Sequence, residues 1–300
     1  MRWVRIGVIG AFLLAAVTAA LTGSVAGRDE PAATPHAAPT PSVPMPSAPP
    51  DLSATAEIRR SFMAPGVVAI AVTNHGDAPV RVVGVELVTE SFAPMGVQEF
   101  DAHVPPSVNP RDLLTVYGAA RCPDGVDSTA QPASVVLDVE TEDGAAHQVV
   151  AELSYPNGTL DRLLREACAA EAIAASTAID LGALTEAPDG TLEGGLTLRP
   201  LEGAAIGATD VRGSVLFTVE SPPLATGPLA GAAGEPLVVP LAFDAFRCEG
   251  HAVGDAKQPF GFTVWLTIDG GDPMPTPIPV PDAQRDALWA MLEARCGHTD

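Results

Sequence analysis

The chain has 300 residues, room for one to three domains, and it sets 16 Lys and Arg against 37 Asp and Glu for a net charge of −21. So acidic a chain lacks the basic face that a nucleic acid requires, and 47% hydrophobic residues exclude wholesale disorder. Aromatic residues make up only 5%, so any core is built mainly from Val, Leu, Ile and Ala.

Residues 1–5 read MRWVR, and the stretch from Ile6 to Gly27 carries no charge. Two readings fit. Residues 1–27 are a signal peptide, with Arg2 and Arg5 as its positive start and Ser24-Val25-Ala26 as a small-residue cleavage site. Alternatively the stretch stays as a signal-anchor, an N-terminal hydrophobic helix of about 33 Å, long enough for a hydrocarbon core of about 30 Å. The two arginines then hold the N-terminus in the cytoplasm. Both readings deliver residues 28–300 outside the cytoplasmic membrane. The anchor makes the protein a single-pass membrane protein with an extracytoplasmic C-terminus, and the signal peptide makes it a secreted one.

Residues 28–53 read as a proline-rich extracellular linker. The run PAATPHAAPTPSVPMPSAPP (31–50) holds eight of the chain's 30 prolines and no charge. Proline fixes φ and removes backbone donors, so an extended, solvated spacer reaching on the order of 80 Å is expected. A ligand for a proline-reading domain is the other reading.

The four cysteines organise the rest. Cys122 and Cys168 stand 46 apart, Cys248 and Cys296 stand 48 apart, and Cys122 and Cys248 stand 126 apart (248 − 122). The surrounding text repeats with them. Ala120-Arg121-Cys122 matches Phe246-Arg247-Cys248, Pro110 matches Pro236, and Gln131-Pro132 matches Gln258-Pro259. Leu163-Leu164 and Met291-Leu292 each precede the second cysteine of their pair by five and four residues. This spacing predicts two homologous modules, 54–173 and 174–300. An exported chain with an even cysteine count points to disulfides. Of three possible connectivities, the duplication selects Cys122–Cys168 and Cys248–Cys296, because each module then closes on itself. A zinc site would want close pairs such as C-x₂-C, and none occurs.

Each module reads mostly as strand. Val67–Thr73 is a buried-type apolar run, Asn74–Pro79 a turn cluster, and Val80–Val88 a strand with Val83, Val85 and Leu87 on one face. Residues 112–119 follow as strand. In 135–142, Val135, Leu137, Val139 and Thr141 alternate with carboxylates, and Asp143-Gly144 signals a hairpin into 147–153. The second module repeats this with Val264, Leu266 and Ile268 before Asp269-Gly270-Gly271. Short helices close both modules, Leu160–Ala167 in the first and one capped by Asp282 in the second, where Leu288, Met291 and Leu292 share a face. Each second cysteine would sit at its helix end.

Several short strands with regular turn signals point to β-sandwiches. The modules resemble the immunoglobulin-like domains of secreted and membrane-tethered actinobacterial surface proteins, chiefly through TNHGDAPVRVVGVEL at 73–87. The resemblance implies tandem Ig-like sandwiches and says little of activity. The disulfide departs from the inter-sheet bridge of antibody domains, because its second half falls on a C-terminal helix.

In PMPTPIPVP (273–281) every second residue is proline. Alternate strand amides point to the same edge, so these prolines strip one edge of donors and leave a strand that pairs on one side only. A polyproline II segment lying over the module is the alternative. The counterpart at 147–155 has no proline, so the two modules are expected to expose different edges.

The sequence carries no H-E-x-x-H, no G-x-S-x-G, no phosphate loop and no C-x-x-C. No cofactor is expected. Asp138, Glu140, Glu142 and Asp143 read as a solvated strand face, since calcium loops wrap their ligands around a turn. Trp265 and Trp289 read as packing residues ahead of a sugar platform, and His75 as a solvated turn residue. The expected function is a non-enzymatic envelope protein whose tandem modules bind or space, with an unidentified protein or envelope component as partner. The alternative is a small-ligand receptor or enzyme with a site at the module interface.

Overall fold

The computed structural model describes residues 48–59, 64–154, 158–201, 203–224, 235–248, 253–254 and 256–297. The apolar stretch 6–27 and most of the proline-rich run lie outside them. No helix among the described residues is long and apolar enough to cross a membrane.

The first half contributes β1 (Leu52–Glu57), β2 (Val67–Asn74), β3 (Val80–Thr89), β4 (Gln98–Val104), β5 (Arg111–Val116), β6 (Ala133–Thr141) and β7 (Ala146–Ser154). β1 begins two residues inside the expected linker: once Pro49-Pro50 is passed, Leu52, Ala54 and Ala56 alternate and are buried. The strand order is β4-β3-β6-β7-β1-β2-β5. β4, β3, β6 and β7 form one antiparallel layer and β1, β2 and β5 the other. A short parallel contact, Ala54 with Leu153 and Thr55 with Ser154, joins them. The core lies between the layers, where Val68, Ile70 and Val72 of β2 meet Val82, Val85, Leu137 and Val139.

β6 follows the expected alternation, burying Val135, Leu137 and Val139, and the hairpin to β7 turns at Gly144 (φ 79°). β3 departs from it. A bulge between Val82 and Gly84 shifts the register, so Val80, Val82 and Val85 face the core and Val83 does not. The bulge brings Asp138 and Val97 over Gly84, where a Cβ would lie 2.8 Å from the Asp138 carboxylate and 2.9 Å from Val97 Cγ1.

The first helix, α1 (Thr159–Ser176), runs well past the expected end at Ala167. Cys168 lies in its middle and does not close it. The residues beyond, AAEAIAAS, are mostly strong helix formers, and they carry the helix on until Thr177 turns extended and donates its amide to the Ile173 carbonyl. Leu160, Leu164 and Cys168 pack in the first core, whereas Ile173 packs in the second.

The second half contributes β8 (Thr177–Leu181), β9 (Thr185–Glu186), β10 (Leu192–Pro200), β11 (Ile206–Arg212), β12 (Phe217–Glu220), β13 (Leu237–Ala245), β14 (Thr263–Ile268) and β15 (Met274–Pro277), followed by α2 (Asp282–Cys296). One sheet runs β12-β13-β10-β8, with β9 on β10, and the other runs β11-β14-β15. Several pairings of the first half recur here, although β12 lies on β13 where β4 lies on β3. Ile70 faces Leu113 as Leu196 faces Val239, and Val82 faces Val139 as Ala208 faces Leu266. Even the bulge returns, between Ala208 and Asp210.

β15 lies at a sheet edge and pairs with β14 alone. Pro273, Pro275, Pro277 and Pro279 face solvent, while Thr276, Ile278 and Val280 are buried. The alternation that removes donors from the outer edge therefore also keeps the rings off the core. In α2, Leu288, Met291 and Leu292 are buried as expected. Asp282 is not its cap: Pro281 takes that position, and Asp282 is the first helical residue, in an ion pair with Arg285. Urea unfolding checks the bulge. Val82→Ala is expected to cost about 2 kcal/mol, and Val83→Ala well under half of that.

Candidate functional site

The residues singled out by spacing are the cysteines, and the structure pairs them as Cys122–Cys168 and Cys248–Cys296, with Cα separations of 5.7 and 5.1 Å. Both separations suit an unforced bridge. Each ties the loop after a strand, β5 or β13, to the closing helix of its half. Cys168 is almost fully buried, and Cys296 is the last residue of α2. Replacing Cys122 and Cys168 together by serine is expected to lower stability by about 4 kcal/mol in the chain-entropy view, measured by urea unfolding under non-reducing conditions.

A groove of about 190 Å³ lies where the outer face of β1, β2 and β5 meets α1, and Gln258 of the second half also lines it. Its polar groups are largely committed to one another. Arg59 makes a two-pronged ion pair with Asp112 (Nε and Nη2 each 3.0 Å from a carboxylate oxygen), and Arg162 donates to Glu166 at 2.9 Å. The hydrogen bond from Arg59 to Asp112, outweighing slight desolvation, raises the Arg59 pKa above its ordinary value. The groove is smaller than the roughly 300–1,000 Å³ of ordinary small-molecule sites. A wider depression of about 680 Å³ over β10, β12 and β13 is lined by Glu193, Glu220, Ser221 and Pro240.

The acidic positions of β6 and its turn serve local structure. Asp138 accepts from Gln148 (3.1 Å), and Glu140 accepts from Arg81 (2.8 Å), which also reaches Asp101 (2.7 Å). Arg81 thereby holds the Asp101 carboxyl below its usual range. Asp143 accepts from the Thr141 hydroxyl and the Ala145 amide. Among the described residues, no group of three or more His, Cys, Asp or Glu gathers as a metal site would. His75 shares a 2.7 Å hydrogen bond with the Ser53 hydroxyl. Trp289 meets Phe260 edge-on at 5.3 Å, and the Arg212 guanidinium lies 4.4 Å above the Trp265 ring, a packing use for both tryptophans.

Sequence reasoning missed Arg59, Asp112, Tyr117 and Gln258. No periodicity links Arg59 to a carboxylate 53 residues away. Only the repeat of Gln131-Pro132 at Gln258-Pro259 drew attention to Gln258. No protein-family model matches the chain, and a search of curated proteins finds no match to it.

At the groove, burial raises the Tyr117 pKa, and the nearby Glu166 carboxylate adds to the rise. The folded state therefore keeps its phenol proton longer than the unfolded chain. The stability this contributes is complete below the ordinary tyrosine pKa of about 10 and is lost as pH rises through the folded-state value. An alkaline absorbance titration should show a late phenolate step, and Tyr117→Phe should remove it.

Proposed function

We propose that this is a non-enzymatic extracytoplasmic envelope protein: two homologous β-sandwich modules, 54–173 and 174–300, used for binding or spacing at the cell surface. Two disulfides are the mark of an oxidising compartment. Residues 6–27 supply the export signal, retained as a membrane tether or cleaved to leave a secreted chain. The modules are immunoglobulin-like. In support, β1-β2-β5 faces β4-β3-β6-β7, the division of an Ig-type sandwich, with the fourth strand joined to the second layer.

The observation that carries the functional reading is the state of the groove beside α1. It is small, and its arginines are already engaged by Asp112 and Glu166, while the larger depression over β10, β12 and β13 is open to solvent. A dedicated small-ligand receptor or enzyme would instead present convergent, uncommitted polar groups in a deeper cavity. The partner is an unidentified protein or envelope component and not an anionic polymer. Without Arg2 and Arg5 the chain carries a charge of −23, which repels polyanions and anionic lipid surfaces.

The test is capture from intact cells with the full exported chain. Recovery of a macromolecular envelope component is expected, weakened by Leu114→Asp or Pro240→Asp if the exposed sheet faces make the contact. Recovery of one small metabolite and no macromolecule would overturn the reading. Intact-mass analysis of the mature protein decides the tether, because a start near residue 27 rejects it.

A further inference from the structure

The two halves share most of their strand pairings and differ at two places: β12 joins β13 where β4 joins β3, and one seam that is closed in the first half is not closed in the second. In the first half β1 and β7 run parallel, Ala54 beside Leu153 and Thr55 beside Ser154. That register aims the Ser154 amide at β1. In the second half β8 takes the place of β1, for Ile179 faces Leu198 as Ala54 faces Val72. β15 takes the place of β7, for Leu266 faces Met274 as Val139 faces His147. The Ile278 amide continues that ladder to the Phe262 carbonyl at 3.0 Å. Among the described residues, no pairing joins β8 to this strand.

The prolines account for the difference. Carried along the matched register, Glu152 corresponds to Pro279 and Ser154 to Pro281. Pro281 has no amide to donate, and its carbonyl already accepts from the Gln284 and Arg285 amides in the first turn of α2, at 3.1 and 3.0 Å. On the other side of the seam, the Gly182 amide donates to Gly195 and the Leu201 amide to Ser176. The even-numbered residues of β8 therefore face β10, and the Ile179 and Leu181 amides point away from it. Among the described residues, a side chain crosses to this edge. Gln284 Nε2 donates to the carbonyls of Leu181 (3.0 Å) and Gly182 (3.1 Å), while its Oε1 is buried with no partner.

We propose that this seam is a built-in opening point: β8 parts from residues 278–281 without global unfolding, so the second half breathes along one edge while the first stays shut. A backbone ladder closes the first seam, and a single carboxamide with one unsatisfied atom bridges the second. Parting would expose Leu181, Ile278 and Val280 at the margin of the second core. The Cys248–Cys296 bridge keeps α2 attached to the loop after β13 throughout, which makes the motion hinged and reversible.

Native-state amide hydrogen exchange on the full chain tests this. After correction for intrinsic rates, the Ile179 and Leu181 amides should exchange on the order of 100-fold faster than the Ala54 and Ala56 amides, their counterparts facing β7. Gln284→Ala should widen that gap without changing exchange in the first half. Ser154→Pro should transfer the fast exchange to Ala54 and Ala56. Equal protection at the two seams of the unaltered protein would overturn the proposal, and so would a Gln284→Ala variant that speeds exchange equally in both halves.

Discussion

The arrangement rests on where the sulfur bridges attach. A helix packed on one end of a sandwich buries only part of its surface, and neither α1 nor α2 has a side-chain cap to fix its start. The bridges supply that anchorage covalently, at the loop that follows β5 in the first half and β13 in the second. With α1 held at Cys168, Leu160 and Leu164 close the bottom of the first core, and the remaining turns of the helix are free to reach the second. The same attachment at Cys296 sets α2 over the second core through Leu288, Met291 and Leu292. Aromatic side chains are scarce in this sequence, and five of the second half gather in that core, in contact in the order Phe243, Phe262, Phe217, Phe260 and Trp289.

What could be read from the residues was what local periodicity or internal repetition records. The alternation in β6, the Asp-Gly turns, the cysteine partners and the one-sided strand of alternating prolines are of this kind. Strict alternation misled at β3, because a bulge moves the phase by one residue and leaves no mark of its own in the apolar pattern. A bulge also lies between Ala208 and Asp210, so the irregularity is common to both halves. Cys168 is no marker of the end of α1, because alanine-rich sequence continues the helix beyond it. The groove was illegible. Its ion pairs join β5 to the segment after β1 and one helical turn to the next, and Gln258 arrives from the other half. Nothing short of the folded chain brings those residues together.

The two halves differ more in their backbone pairing than in their cores. The facing pairs of the first half reappear with similar side chains in the second, yet proline insertion on β15 changes which amides exist at all. Hydrophobic exchange within a core leaves hydrogen bonding untouched, whereas a proline deletes a donor outright. The two halves thereby present different edges over similarly paired interiors.

α1 also bears on mechanics. Thr177 ends the helix and begins β8 in a single step, with no intervening loop. Swivelling one copy against the other would have to drag Leu164 or Ile173 out of its packing. The helix is therefore a splint: one end is buried in each core, and a twist of either half has to be taken up by its packing.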